Sequence, residues 1–280
     1  METLVSTEWL EGALGASDLR ILDATLLLPG DPRDPRAEYA AGHIPGAVFL
    51  DLEDVSDTAN PLPHMLPGEA RMASRMQALG VRDGQRIVVY DNSPLHSAAR
   101  AWWMLRAFGA RRIAILDGGM AKWRAEGRPL ETDAPTPRRG HFSPRLDRTA
   151  VADKAQVLAL LGAGSHEIVD ARGAGRFRGD EAEPRPGMAS GHIPGSKNLP
   201  QGQLFNPDNS WKRGGDLRAA FEAAGVDLDR PMVTTCGSGV TAAVLLFGAQ
   251  LLGKEDVLLY DGSWSEWGAD PETPKAMGAE

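Results

Sequence analysis

The sequence predicts an α/β protein of two tandem domains, each with a parallel sheet and helices on both faces. Two observations predict this fold class. Short runs of Ile, Val and Leu, typical of buried strands, alternate with helical stretches, and this alternation favours parallel sheets. The same succession of strands, turns and helices then occurs a second time along the 280 residues, which indicates duplication of one domain.

The repeat can be followed motif by motif. A strand ending in Asp is followed in each half by the pentapeptide GHIPG, at 42–46 and at 191–195. "RIVVYD" at 86–91 then corresponds to "PMVTTC" at 231–236, and "DGGMAKW" corresponds to "DGSWSEW". Strands of the first half are predicted at 21–24, 87–90 and 113–116. We expect the two GHIPG histidines, His43 and His192, to be structural.

The domain boundaries follow from the repeat and from a change in composition. The segment "RPLETDAPTPRRGHFSPRLDRTA" is rich in Pro and Arg and lacks an apolar period, as expected of a linker. We therefore predict a first domain over 1–127, a linker over 128–149 and a second domain over 150–280.

Composition excludes several classes of protein. A net charge of −8 argues against nucleic acid or an anionic membrane as partner, and 42% hydrophobic residues suffice for real cores. One cysteine excludes an internal disulfide and a zinc cluster of cysteines. No signal peptide and no stretch long enough to span a membrane are recognisable, so we expect a cytoplasmic protein without metal or cofactor.

The single cysteine, Cys236, stands between a predicted strand at 232–235 and an apolar helix over 242–252. The turn between them is predicted to be tight and to direct its backbone N–H groups inward; it consists of Gly237, Ser238, Gly239, Val240 and Thr241. A thiol at a helix N-terminus ionises more readily and becomes a nucleophile. A cysteine that merely packs in the core would need neither glycine, so we predict a catalytic thiolate.

Together these motifs resemble the two-domain rhodanese family, and within it the 3-mercaptopyruvate sulfurtransferases. The resemblance rests on the doubled GHIPG, on "LDGGMAKW" and "YDGSWSEWG", on "GRFRGDEAEPRPG" and on "CGSGVT". It implies two rhodanese-like domains and transfer of sulfur from 3-mercaptopyruvate to Cys236 as a persulfide, with release of pyruvate. The sulfur acceptor would be cyanide, a small thiol or a protein such as thioredoxin.

The resemblance also implies roles for further residues. Arg176 and Arg185 match positions that bind the carboxylate and carbonyl of the donor. His64, Ser238 and Glu53 match a relay similar to a serine-protease triad, although the adjacent Asp54 leaves the choice of carboxylate open. In the first half Asp91 stands where Cys236 stands in the second, so that half is expected to be catalytically silent.

Three alternatives are weighed against this function. Thiosulfate-preferring relatives tend to carry basic side chains directly after the cysteine, where this chain has Gly237 and Ser238. A phosphatase of the related fold needs an arginine six residues after the cysteine, and that position is Ala242. A non-catalytic binding module stays open, although the retained cysteine argues against it.

Overall fold

The computed structural model describes residues 1–28, 30–133 and 135–278, which fold into two compact units. Each unit is discontinuous along the chain. The first is composed of residues 1–57, 66–147 and 205–211, and the second of residues 58–65, 148–204 and 212 to the end of the described chain. Most of the predicted linker, 128–147, is therefore part of the first unit, while its last two residues belong to the second.

The first unit contains a five-stranded parallel sheet with the order β1-β5-β4-β2-β3. Its strands are β1 (Leu4–Val5), β2 (Leu19–Asp23), β3 (Ala47–Phe49), β4 (Arg86–Tyr90) and β5 (Ile113–Leu116). Its helices are α1 (Thr7–Ala13), α2 (Pro35–Ala41), α3 (Leu52–Val55), α4 (Glu69–Ala78), α5 (Ala98–Ala107) and α6 (Gly119–Ala125).

The second unit repeats this architecture, with the strand order β6-β10-β9-β7-β8 and again parallel pairing throughout. Its strands are β6 (Val151–Ala152), β7 (Glu167–Asp170), β8 (Lys197–Asn198), β9 (Met232–Thr235) and β10 (Val257–Tyr260). Its helices are α7 (Lys154–Ala163), α8 (Ala174–Arg178), α9 (Gly214–Ala223), α10 (Ala242–Leu251) and α11 (Ser263–Trp267).

The predicted fold class, two parallel-sheet α/β domains, is confirmed. The predicted strands at 113–116 and 232–235 have the observed bounds, whereas β2 begins two residues earlier than the apolar run at 21–24. Leu19 and Arg20 extend β2 because they pair with Arg86 and Ile87 of β4. Hydrogen bonding to a neighbouring strand, rather than apolarity, sets that boundary.

Equivalent aromatic and histidine side chains stabilise the two cores. Trp123 and Trp267 are fully buried, and their indole N–H groups donate to Pro129 O (2.8 Å) and Pro274 O (2.7 Å). The GHIPG histidines are also buried, and each places Nδ1 2.8 Å from a backbone carbonyl oxygen of the preceding helix, at Tyr39 and at Phe177. His43 stacks on Tyr39 and His192 on Phe177. These contacts support the structural role predicted for both histidines.

Two kinds of feature are absent from the part of the chain that the structure describes. No helix there is long and apolar enough to cross a membrane. No group of three or more His, Cys, Asp or Glu side chains there is arranged to hold a metal ion.

Candidate active site

Cys236 lies in the turn between β9 and α10. The strand ends at Thr235, the helix begins at Ala242, and the cysteine is 2% exposed. Gly239 has a φ of 76°, a left-handed conformation that favours glycine. The thiol is thus held in a tight turn at the start of a helix, as the sequence predicts.

The Cys236 loop, defined as residues 237–241, contains backbone N–H groups without a hydrogen-bond acceptor. Among the described residues this holds for the N–H groups of Gly237, Ser238, Val240 and Thr241. They lie at the N-terminus of α10, ten residues long, whose dipole adds positive potential. Such unpaired amides at a helix start bind anions, so the loop is suited to a thiolate or a persulfide.

The equivalent turn of the first unit holds an anion of its own. Asp91 directly follows β4, and its carboxylate accepts the N–H groups of Ser93 (3.0 Å) and of Ala98 (2.7 Å), the first residue of α5. Burial raises the pKa of the Asp91 carboxyl to about 6, although these two backbone hydrogen bonds act in the opposite direction. The amides of this turn therefore serve as donors to an acidic side chain, but its aspartate cannot carry sulfur.

His64 and Ser238 lie within hydrogen-bonding distance of each other in the second unit. Segment 58–65 is part of that unit, and His64 Nδ1 is 2.8 Å from Ser238 Oγ. Both side chains are buried, and His64 has a φ of 60°. A proton can pass between an imidazole and a hydroxyl at this distance. The structure thus brings together two of the three groups of the predicted relay, whose catalytic role stays a prediction.

The third group of the relay is expected on α3, in the first unit, where Glu53 and Asp54 are both exposed. The carboxylate of Asp54 pairs with two arginines of α4: Arg75 Nη2 lies 2.8 Å from it and Arg71 Nη2 lies 3.7 Å from it. The resemblance offers both Glu53 and Asp54 as the carboxylate of the relay. The choice of Glu53 stays a prediction.

Arg176 lies beside the residue that follows the cysteine. It belongs to α8, and its Nη2 is 3.0 Å from the point that a Cβ on Gly237 would occupy. A side chain at position 237 would therefore press against the guanidinium group. By lacking a Cβ, Gly237 leaves room for a cation next to the loop.

A buried network of charges holds Arg176 in this place. Glu183 binds Arg176 Nη2, and its Oε1 also accepts Arg172 Nη1 at 2.6 Å. Arg172 in turn binds Asp170 at 2.6 Å and lies 4.4 Å above the ring of Trp264. The side chains of Asp170, Arg172 and Glu183 are 1% exposed. Sequence analysis missed Arg172 and Glu183; the available signal was the alternation of acidic and basic residues in "DARGAGRFRGDEAEPR".

Arg185 differs from Arg176 in having no partner in the part of the chain that the structure describes. It is half-buried in the chain that follows α8, and within the described residues it makes no hydrogen bond and no ion pair. Its planar fork of N–H donors is therefore available to a carboxylate ligand. Binding of substrate by Arg176 and Arg185 stays a prediction.

Comparison with known proteins gives two concordant results for the sequence. The family model of the rhodanese-like domain matches residues 6–126 and again 153–270. The protein named 3-mercaptopyruvate sulfurtransferase of Escherichia coli K12 is 43% identical over 271 residues, which cover 96% of each chain. The protein named thiosulfate sulfurtransferase of Cricetulus griseus is also 43% identical, over 285 residues that cover 98% of this chain and 95% of the relative.

Comparison of structures agrees with these matches. The crystal structure of SseA from Escherichia coli, described as a 3-mercaptopyruvate sulfotransferase with the rhodanese fold, superposes with a TM-score of 0.86 at 40% identity. The superposition covers 94% of this chain and 99% of that one.

Proposed function

The chain belongs to the rhodanese family, and we propose that it is a sulfurtransferase that uses 3-mercaptopyruvate as sulfur donor. The Cys236 thiolate attacks the sulfur of the donor, so that an S–S bond forms and the C–S bond breaks. The electron pair of the C–S bond passes to carbon as the enolate of pyruvate, which then takes up a proton. The persulfide on Cys236 transfers its outer sulfur to a thiol or cyanide acceptor.

The observation that carries this proposal is the set of unpaired amides around the only cysteine of the chain. Donors that are fixed before the reaction stabilise developing negative charge without having to reorganise. The same kind of turn in the first unit donates two amide N–H groups to the Asp91 carboxyl group, which supports the amides of such a turn as donors to a bound group.

The donor is inferred from the Cys236 loop, because the two relatives named above have equal identity and different names. Thiosulfate is a compact dianion that is best bound by a cation within the loop, where this chain has Gly237 and Ser238. 3-Mercaptopyruvate needs a monoanionic carboxylate bound at a distance from its sulfur. Arg176 lies beside Gly237, and Arg185 has no partner among residues 1–28, 30–133 and 135–278, so both suit that requirement.

We further propose that His64, Ser238 and Glu53 form a proton relay, supported by the contact between His64 Nδ1 and Ser238 Oγ. The acceptor is proposed to be thioredoxin or a small thiol. A cytoplasmic location is proposed because a single cysteine is typical of a protein from a reducing compartment. Transfer from thiosulfate is the second candidate function, favoured by the similarity to the Cricetulus griseus protein. A non-catalytic binding module is the third.

The test compares the two donors under one acceptor, with mass spectrometry of the protein after exposure to donor alone. We expect a preference for 3-mercaptopyruvate in kcat/KM of about ten- to a hundredfold, the usual cost of losing one charge-assisted contact. Wild type should gain one sulfur and Cys236→Ser none. Equal or better use of thiosulfate would overturn the donor, and absence of added sulfur with either donor would favour a binding module.

A second arm of the test introduces basic side chains into the Cys236 loop. Gly237→Arg combined with Ser238→Lys should shift the preference toward thiosulfate, both by adding charge and by displacing Arg176 from its place beside residue 237. An unchanged preference in a folded double variant would contradict the argument from loop charge.

A further inference from the structure

Behind the Cys236 loop lies the start of α11, and the proposed reaction assigns it no role. The N–H of Ser265 and its hydroxyl group both donate to the carbonyl oxygen of Gly237, at 2.9 Å and 2.6 Å. The neighbouring N–H of Trp264 donates to the carbonyl oxygen of Cys236 at 2.9 Å. The consecutive carbonyl groups of Cys236 and Gly237 are therefore held against α11.

Ser263 adds a contact from the same turn. Its hydroxyl oxygen accepts the N–H of Cys236 at 3.2 Å, and its O–H donates to the carbonyl oxygen of Tyr260 at 2.8 Å. The residue is fully buried and has a φ of 49°. A side chain in this conformation costs free energy relative to glycine, so a serine here has to be stabilised by its contacts.

These contacts determine where the amides of the loop point. The carbonyl and the N–H of one trans peptide unit point in opposite directions, and the described chain has no cis peptide. The carbonyl of Gly237 shares its peptide unit with the N–H of Ser238, and the carbonyl of Cys236 shares its unit with the N–H of Gly237. Holding both carbonyls against α11 therefore directs both N–H groups away from it. These are two of the unpaired donors of the loop.

The first half of the chain lacks a hydroxyl group at each of the positions that correspond to Ser263 and Ser265. Its turn reads "DGGMAKW", with Gly119 in place of Ser263 and Ala121 in place of Ser265. The contact between main-chain atoms is retained there, since the N–H of Met120 donates to the carbonyl oxygen of Asp91 at 2.9 Å. The hydroxyl contacts thus occur only in the half that has the cysteine, although both halves have the same fold.

We propose that Ser263 and Ser265 are positioning residues that hold the Cys236 loop so that the N–H groups of Gly237 and Ser238 face the sulfur. Neither serine touches the donor. Ser265 acts through the peptide unit of Gly237 and Ser238, whereas Ser263 fixes the N–H of Cys236, where the loop begins. The inference requires Cys236 to be the nucleophile, as in the proposed function, but it does not depend on which donor is used.

The test measures two rates on the whole protein: alkylation of Cys236 by iodoacetamide at fixed neutral pH, and single-turnover persulfide formation. Ser265→Ala removes one hydrogen bond to Gly237 and places a better helix former in α11. Both rates should fall about two- to tenfold, the loss of one hydrogen bond expressed as a rate. The donor concentration for half-maximal rate should not change. Ser263→Gly, which copies Gly119, should have a similar effect, and Ser265→Thr, which keeps the hydroxyl group, should return both rates toward wild type.

The matched control is Ser196→Ala. Ser196 is also buried in the second unit and donates its hydroxyl to a backbone carbonyl, that of Ile193, at 2.6 Å, but it does not contact the loop. It should lower the melting temperature and leave both rates unchanged. Wild-type rates in folded Ser265→Ala and Ser263→Gly, or equal losses in the control, would overturn the proposal. Alkylation needs no sulfur donor. If 3-mercaptopyruvate is not the donor, the rate of persulfide formation would be affected but the rate of alkylation would still test the role of the two serines.

Discussion

Cys236 and Asp91 follow the same strand of the two halves, β9 and β4, and both are buried at the start of the following helix. The difference between them is how the amides of the turn are used. The carboxyl group of Asp91 occupies two N–H groups, whereas the N–H groups of Gly237 and Ser238 are unpaired within the described residues. One side chain thus distinguishes a turn that is satisfied by itself from one that can receive a reacting anion.

The buried Asp91 carboxyl should make stability depend on pH. Its pKa rises from 3.8 to about 6 because of burial, so the folded protein binds this proton more tightly than the unfolded chain does. The protonated carboxyl group contributes roughly 3 kcal/mol to the free energy of unfolding below pH 3.8, and this contribution is lost as the pH rises to about 6. Asp91→Asn cannot ionise, and its free energy of unfolding should lack this fall. The measurement is denaturant unfolding of both proteins across this range.

The same variant provides its own functional control. Persulfide formation by Asp91→Asn should stay near wild type, because the first unit has no nucleophile at this turn. An unaltered pH dependence of stability would show that Asp91 is not the titrating group. A folded variant that no longer accepted sulfur would contradict the silent first domain.

At the scale of elements, a succession of ion pairs connects the end of β7 with the Cys236 loop in the second unit. Asp170 at the end of β7 binds Arg172, Arg172 binds Glu183, and Glu183 binds Arg176 beside Gly237. Each buried charge is stabilised by an opposite charge and by hydrogen bonds, which is the condition under which buried ions are tolerated. The buried neighbours of Arg176 hold its guanidinium group in place, although the arginine side chain is itself flexible.

Glu183→Ala should be strongly destabilising because it leaves Arg172 buried without one of its partners. Breaking a buried pair in this way costs about 3 to 5 kcal/mol. Asp180→Asn is the matched control, since its pair with Arg178 is exposed, with side chains 62% and 42% accessible. The control should cost less than about 1 kcal/mol. Denaturant unfolding compares them, and similar losses for the two variants would mean that the network does not act as a buried unit.

Segment 58–65 is the second element that contributes to the candidate site, because it contains His64, which contacts Ser238. His64→Ala and Ser238→Ala should each lower kcat for 3-mercaptopyruvate by about a hundredfold, as expected for loss of a proton-transfer group. Members of a relay act as a unit, so the double variant should be little worse than the poorer single variant. Steady-state kinetics on the three variants decides the point, and two losses that multiply would mean independent roles.

At the scale of the whole molecule, the repeat has two sheets with the same strand order, and only the second is followed by a cysteine at the turn after its central strand. The two units are not simply the two halves of the chain. Residues 58–65 of the first half are part of the second unit, and residues 205–211 of the second half are part of the first. The unit that contains Cys236 therefore includes a segment that a cut at the repeat boundary would remove.

A fragment comprising residues 148–280 tests this consequence. It retains Cys236 and its loop but lacks His64, so its kcat with 3-mercaptopyruvate should be at or below that of full-length His64→Ala. The full-length variant is the control for loss of the imidazole alone. Wild-type turnover by the fragment would show that segment 58–65 is dispensable.

Much of the fold and part of the candidate site could be predicted because their signals are local or repeated. The apolar strand before Cys236, the glycines after it and the apolar helix beyond are neighbours in the chain, and each matches an observed element. Strand ends were less predictable: Leu19 and Arg20 belong to β2 because of a pairing partner more than sixty residues away. Glu183 and Arg172 were missed because charged residues in a loop become significant only when folding buries them together.

The sequence by itself determined the duplicated α/β architecture and the resemblance to the rhodanese family, and it predicted Cys236 rather than Asp91 as the position of the nucleophile. All three depend on residue types and their spacing along the chain. Tertiary structure alone decided the contact of His64 with Ser238, the room that Gly237 leaves for Arg176, and the attachment of the loop to Ser263 and Ser265. The physical reason is that hydrogen bonds and ion pairs require distances of about 3 Å. Residues far apart in the chain reach such distances only when the packed core has fixed the positions of their backbones.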